Sequence, residues 1–215
     1  MSDSPREAAE GGGSTRAEQK ARTRQAILDA AAEAYAESGS GAGIITIAER
    51  AGVHHSTVLF HFGTVHGLQM AVLQERDRHF FAENVGEEWT GGGWAALLNL
   101  PAVARWALAH PHLAKLFCVL EVENADAAQP LHDYFLGRQR VIHDLLVAMM
   151  EGAVADGDMR EDVDLGAKAD EIIAFQTGAH VMWALDPERV QLLDLFESYT
   201  GNLRAELSRP RRKRG

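Results

Sequence analysis

The sequence of 215 residues has a single cysteine, Cys118, and no long run of uncharged apolar residues. One cysteine cannot close a disulfide within the chain, which favours a reducing compartment. No stretch approaches the roughly 18 apolar residues that a membrane-spanning helix requires. The acidic segment 1–10 has no apolar core of a signal peptide. We therefore expect a cytoplasmic protein without a membrane partner.

Aromatic residues are also few, at 7% of the chain, although apolar residues together reach 46%. Alanine and leucine dominate the apolar set, and this composition favours helices. A net charge of −10 opposes DNA binding unless the acidic side chains are concentrated elsewhere. Residues 1–78 carry 8 basic and 10 acidic side chains, 79–208 carry 8 and 21, and 209–215 carry five basic side chains and no acid. The nearly neutral first part is therefore compatible with a DNA partner.

Apolar residues recur at helical spacing along most of the chain, and no stretch alternates with the period of a strand. The small polar segment 1–14 predicts a disordered arm, and Ser14 or Thr15 with Glu18 predicts a capping box at the start of the first helix. The fold is therefore expected to be all-α. Helices are predicted at 15–38, 44–50, 54–62, 65–85, 94–110, 111–123, 130–155, 165–185 and 187–207, with Pro101 at a kink or boundary.

The pattern that carries most information is a pair of short helices separated by the turn 51–53. Gly52 permits a sharp bend, and the small Ala48 suits a close helix crossing. Val53 supplies an apolar side chain that holds the turn against the core. This spacing is typical of a helix-turn-helix, whose second helix enters the major groove of DNA. A purely structural helical corner is the alternative.

Residues 47–53, with the sequence IAERAGV, resemble the second helix and turn of TetR-type repressors. Residues 57–62, with the sequence TVLFHF, are similar to the end of that family's recognition helix, and 175–203 are similar to its final helix pair. The resemblance covers 22–73 with specific motifs and the later chain in architecture. It implies a three-helix DNA-binding domain at 15–66 and a helical effector-binding and dimerisation domain at 67–208, between the arm at 1–14 and the basic tail at 209–215 that the composition indicates.

The first turn of the second short helix contains the candidate base readers, because that turn reaches base edges in helix-turn-helix proteins. Basic residues of the first helix are candidates for phosphate or minor-groove contacts. For His61, a structural role remains an equal alternative. The expected DNA contacts are Lys20, Arg22, Arg24, His54, His55, Ser56, Thr57, Phe60 and His61.

The chain departs from the family pattern at positions that normally contact phosphate. Leu59 and Phe60 stand where two tyrosines are common, and Val65 stands where a lysine is common. Gly43 and His54 stand where threonine or serine caps a helix. We therefore expect weaker DNA binding, or an operator that is read through other groups.

The second domain has more large aromatic rings than the first, and a cavity between its helices would be lined by such rings and a few polar groups. Core packing is the alternative for each ring. A partly apolar effector is expected to contact Trp106, His110, Phe117, Met149, Phe175, Gln176 and His180.

The last two helices are expected to form a homodimer interface, as the resemblance implies. A palindromic operator needs two reading helices about 34 Å apart. The alternative is that this apolar face is buried within the monomer. The expected interface residues are Ile172, Val181, Leu192, Leu195 and Phe196.

Three function classes remain at this point: a ligand-responsive repressor, an enzyme built on a helical bundle, and an architectural DNA-binding protein without an effector. Acid–base pairs for an enzyme would come from Glu121, Glu123 and His132, or from His143 and Asp144. None of these groups forms a recognisable nucleophile, metal or cofactor signature. The histidines at 54, 55, 61 and 66 match no metal-ligand spacing. No enzyme activity, metal or cofactor is therefore expected.

Overall fold

A computed structural model describes residues 15–84 and 93–209 of the chain. The predicted arm at 1–14, the segment 85–92 and nearly all of the basic tail lie outside these residues. Within them the chain forms ten α-helices and a short 3₁₀ helix at Gly39–Gly41. The helices are α1 Arg16–Ser38, α2 Ile44–Arg50, α3 His55–Phe62, α4 Val65–Asn84, α5 Gly93–Leu97, α6 Pro101–Ala109, α7 Pro111–Glu123, α8 His132–Ala155, α9 Leu165–Leu185 and α10 Leu192–Leu207.

The all-α prediction is confirmed, and so is the capping box. The Thr15 hydroxyl accepts from the Glu18 amide at 3.2 Å, while the Glu18 carboxylate accepts from the Thr15 amide at 2.9 Å. The segment predicted at 94–110 is two helices, because Pro101 occupies the first turn of α6. Proline is suited to that position since it needs no hydrogen-bond acceptor there. Pro101 is therefore a boundary and not a kink.

Two predicted helix starts are wrong because side chains stabilise turns in their place. Asn124 donates to the Leu120 carbonyl and accepts from the Leu131 amide, so α8 begins at His132 instead of residue 130. Asp186 accepts from the Arg189 amide at 3.2 Å, and α10 begins only at Leu192 instead of residue 187. Local capping of this kind competes with helix extension.

Two apolar cores lie along the molecule and share helices. The first contains residues of α1 to α4 together with Leu116 and Leu120 of α7 and Phe135 of α8. The second contains residues of α5 to α10, including Ala114 of α7 and Leu146 of α8. Helices α7 and α8 therefore pack into both cores. These two helices therefore connect the two cores.

Among the described residues, no helix is both long enough and apolar enough to cross a membrane. Nor do those residues contain a group of three or more His, Cys, Asp or Glu side chains arranged to hold a metal ion.

Candidate DNA-reading surface and effector cavity

The turn between α2 and α3 has the geometry of a helix-turn-helix. Gly52 adopts a positive φ of 66°, a conformation that side-chain-bearing residues rarely adopt. The Val53 amide donates to the Ala48 carbonyl at 2.9 Å and closes the turn. Ala48 and Val58 are buried against the first core, so the opposite face of α3 is directed away from the protein.

His54 caps the N-terminus of α3. Its Nδ1 accepts from the Ser56 amide at 3.3 Å and lies 2.8 Å from the Ser56 hydroxyl. Imidazole thus satisfies the orphan amide that threonine or serine satisfies in the resembled family. Since Nδ1 is the acceptor, the proton lies on Nε2, which is a donor on an exposed ring.

The first turn of α3 therefore presents a compact polar group to solvent. His54, His55 and Ser56 are exposed and Thr57 is half-buried. The His54 and His55 rings lie 4.1 Å apart between centroids. Donors and acceptors at a helix N-terminus suit both base edges and phosphate.

The end of α3 lies against the start of α1, where two cations sit on aromatic rings. Lys20 Nζ is 5.5 Å from the centroid of Phe60, and the Arg24 guanidinium is 5.1 Å from that of Phe62. Burial lowers the pKa of His61, and the charges of Lys20 and Arg24 lower it further. His61 is therefore neutral at pH 7. Arg22 is exposed on the same helix.

A cavity of about 90 Å³ lies among α4, α6, α7, α8 and α9 and is partly open to solvent. Apolar side chains dominate its wall, and its polar groups come from four helices. The lining includes Arg76, Phe80, Phe81, Leu100, Val103, Phe117, Cys118, Glu121, Arg138, Gln139, Ile142, Leu145, Ile173, Gln176, Thr177 and His180.

Three of the seven expected pocket residues line this cavity, namely Phe117, Gln176 and His180. The other four do not. Met149 is buried in the second core, and Phe175 stacks on Tyr199 of α10 at 3.8 Å. On α9, residues at helical spacing (173, 176, 177 and 180) face the cavity, and position 175 lies on another face.

Trp106 and His110 lie behind the cavity wall. Their rings stack with centroids 4.6 Å apart, and the Arg76 guanidinium lies 5.1 Å from the Trp106 ring. His110 lines a separate surface cleft with Glu83 and His112. Neither of these two expected pocket residues therefore lines the cavity.

The seven residues expected from the sequence to line the cavity do not include its charged groups. Asp77 Oδ1 accepts from Arg76 at 2.8 Å and from Arg138 at 3.3 Å, and Asp77 Oδ2 accepts from the Tyr134 hydroxyl at 2.5 Å. Both guanidiniums also lie over Phe117, 4.2 and 4.5 Å from its centroid. The sequence gives one sign that Arg76 is buried. This residue follows Leu73 by three positions and precedes Phe80 by four, so it lies on the same apolar face of the helix.

His180 enters the cavity as a neutral ring. Burial lowers its pKa to about 4, although a hydrogen bond to the Gln176 carbonyl opposes the shift. His180 Nδ1 donates to that carbonyl at 2.7 Å. The tautomer therefore leaves Nε2 as a hydrogen-bond acceptor.

The expected dimer residues divide into two groups. Ile172, Leu192 and Phe196 are buried in the protomer's own core, at 0–1% exposure, so a partner subunit cannot reach their side chains. This part of the expectation is corrected, because α9 and α10 pack on each other, while α9 also packs on α8 and α10 on α6. Val181 and Leu195 are half-buried. The large apolar side chains of α9 that remain exposed are Met182, at 48%, and Leu185, at 81%.

No family model and no curated protein matches the chain, whereas solved structures do. A TetR-family regulator from Rhodococcus sp. is 22% identical with a TM-score of 0.64, covering 87% of this chain and 100% of that one. A ketosteroid transcriptional regulator of Mycobacterium tuberculosis is 18% identical with a TM-score of 0.65, covering 87% and 95%. The regulator FadR of Bacillus subtilis, solved with stearoyl-CoA, is 19% identical with a TM-score of 0.71, covering 83% and 96%.

All three structural neighbours are transcriptional regulators and none is an enzyme. Each is matched over more than four fifths of this chain. At identities below 25%, this similarity establishes architecture. The chain therefore has the fold of the TetR-family regulators, a helix-turn-helix followed by a helical bundle.

Proposed function

We propose that this protein is a TetR-type transcriptional repressor that binds a palindromic operator as a dimer and is released by a small, partly apolar effector. The observation that carries the proposal is the orientation of α3. Val58 is 1% exposed while His55 and Ser56 face solvent. One face of α3 therefore packs on the core, and its first turn is exposed to solvent. A helix held in this way is able to enter a major groove.

On DNA, the two groups of α1 and α3 take different tasks. His54, His55, Ser56 and Thr57 contact base edges, and Lys20, Arg22 and Arg24 neutralise phosphates. His61, neutral in the free protein, donates or accepts a hydrogen bond at the backbone. Phe60 is 74% exposed and has no hydroxyl for a phosphate, so it is suited to an apolar contact such as a thymine methyl group.

In the proposed dimer, the two copies of α3 lie in successive major grooves. The proposed contact is the outer face of α9, where Met182 and Leu185 continue from Val181, together with Leu195 of α10. Exposed apolar side chains on a helix pair gain free energy when a second copy covers them. Two-fold symmetry of this contact matches a palindromic site.

Release by an effector follows from the position of the cavity. Arg76, Phe80 and Phe81 belong to α4, the helix that follows α3, and they line the cavity. A ligand that favours one arrangement of α4 changes the spacing of the two reading heads, by no more than its difference in affinity for the two states. The alternative function, an architectural DNA-binding protein without an effector, does not explain this cavity or its buried charges.

The direct test is selection of duplexes from a random pool by the full-length protein, followed by affinity measurements from 50 to 200 mM salt. We expect a preferred palindrome that is bound more weakly as salt increases. His55→Ala with Thr57→Ala should abolish the preference, while His112→Ala, an exposed histidine on α7, should keep it. Selection of no duplex, or an unchanged preference in the double variant, would reject α3 as the reading helix.

A further inference from the structure

We propose that the effector is an organic anion, a carboxylate on an apolar body, and that Arg76 and Arg138 bind its carboxylate in the cavity among α4, α7 and α8. This inference rests on the effector role proposed above for the cavity. It names the chemical class of the ligand and the two residues that recognise it.

Two guanidiniums meet at the cavity wall, and a single carboxylate is paired with them. Arg76 and Arg138 share one bonded carboxylate, that of Asp77. Both guanidiniums lie on the ring of Phe117. Two cations beside one anion in a site of low dielectric attract a further negative group more strongly than the same charges do in water.

A donor in this cluster has no acceptor. Arg76 is 8% exposed, and its Nε–H is buried without a hydrogen-bond partner among the described residues. A buried guanidinium donor without a partner costs free energy that an incoming anion recovers. Planar donors of arginine match carboxylate geometry in particular, because two parallel hydrogen bonds form at once.

The second carboxylate of the wall does not neutralise the site. Glu121 forms no ion pair with either arginine within the described part of the chain, although the three side chains line the same cavity. Burial raises the pKa of Glu121, against the opposing effect of Arg138 and Arg76. Its carboxyl group, which is bonded to neither guanidinium, therefore opposes a bound carboxylate only when it is ionised.

The rest of the wall selects an apolar body. Phe80, Phe81, Ile142 and Ile173 line the cavity beside the arginines. At about 90 Å³ the cavity accepts a carboxylate and a few more atoms, so a larger body has to displace side chains of α4 or α8. Occupancy of the charged site and movement of α4 are thus linked.

The test uses the full-length protein and a panel of straight-chain and aryl carboxylates of 6 to 18 carbons, each paired with its neutral primary amide. We expect at least one carboxylate to raise Tm by about 5 °C or more near saturation, while the paired amide has little effect. The same carboxylate should release bound DNA. No shift with any carboxylate, or equal shifts with the amides, would overturn the proposal.

Variants assign the binding to named residues. Arg138→Gln should weaken the active carboxylate about tenfold or more, as expected for a lost hydrogen bond between charged groups. Arg140→Gln, an exposed arginine on the same helix, should leave the affinity unchanged. Glu121→Gln should increase the affinity, because a neutral side chain replaces a carboxyl group that repels the ligand when it is ionised. Equal affinities of the Arg138→Gln and Arg140→Gln variants would overturn the assignment even if Arg76 variants fail to fold.

The two proposals fail separately. A protein that selects a palindrome but responds to no carboxylate retains its DNA-binding function and loses the inference about the effector. Carboxylate-specific stabilisation that depends on Arg138, in a protein that prefers no duplex, would retain the binding site and remove the repressor function.

Discussion

The hydroxyl of Tyr134 donates a hydrogen bond to the carboxylate of Asp77 across 2.5 Å, joining α8 to α4. Burial by itself would raise the pKa of Asp77, but the guanidiniums of Arg138 and Arg76 and the Tyr134 hydroxyl together hold it below its usual range. Asp77 is therefore ionised at pH 7. It holds two cations at the point where α4, the helix that follows α3, meets α8.

Asp77→Asn should lower the free energy of unfolding by about 3–5 kcal/mol, because it leaves two guanidiniums without their carboxylate. Tyr134→Phe removes one hydrogen bond and should cost about 1 kcal/mol. Urea denaturation at pH 7 measures both effects. Asp133→Asn, an exposed neighbour on α8, is the control, and equal stability of the two asparagine variants would contradict the structural role of Asp77.

His180 should make stability depend on pH between its two pKa values. Its pKa is about 4 in the folded protein and roughly 6.5 in the unfolded chain. Above pH 6.5 both states are neutral and the stability is complete. As pH falls towards 4 the unfolded chain takes up the proton first, so about 2–3 kcal/mol should be lost by pH 4.5.

The His180→Gln variant should not show this loss. Urea denaturation of wild type and variant at pH 7 and 4.5 separates the contribution of His180 to the free energy of unfolding from that of the carboxylates, because both proteins have the same carboxylates. His112→Gln serves as the control on an exposed histidine. The same loss in the His180→Gln variant as in wild type would show that another group is responsible.

Lys20 and Arg24 should contribute to DNA affinity without contributing to sequence preference. Replacing either by alanine removes one phosphate contact and should reduce the slope of log affinity against log salt by about 1. The preferred sequence should not change. Arg189→Ala, an exposed arginine in the turn before α10, should keep the wild-type slope, and a wild-type slope for Lys20→Ala and Arg24→Ala as well would place both side chains off the DNA.

The dimer should depend on the exposed end of α9. Met182→Asp combined with Leu185→Asp places two charges in the proposed interface and should give a folded monomer. Sedimentation measures the state of association, and circular dichroism measures the fold. Leu108→Asp, at a similarly exposed leucine on α6, should remain a dimer. A Met182→Asp/Leu185→Asp protein that still sediments as a dimer would place the interface elsewhere.

Local chemistry explains what the sequence predicted well. The Thr15 capping box, the Gly52 turn and the proline at the start of α6 each depend on neighbours within a few residues. Their geometry can therefore be predicted from the local sequence. The two helices of the helix-turn-helix at 44–62 are predicted from this kind of signal, and the structure confirms both.

The cavity was harder to predict because its groups come from distant parts of the chain. Asp77 and Tyr134 are 57 positions apart, and nothing in either local pattern indicates the other. Large rings were expected in the cavity, yet Phe175 stacks on Tyr199 while two arginines occupy the wall. Similarly, Ile172 and Phe196 have the composition of an interface but complete the protomer's own core. Which apolar face remains exposed is decided by tertiary packing.

Hydroxyl-radical footprinting of a selected duplex tests most directly whether two copies of α3 read DNA together. We expect two protected half-sites related by two-fold symmetry and centred about one helical turn, roughly 34 Å, or a multiple of it apart. Protection should disappear with His55→Ala and Thr57→Ala and persist with His112→Ala. A single asymmetric protected segment, or protection that survives the loss of His55 and Thr57, would contradict a dimer that reads its operator through α3.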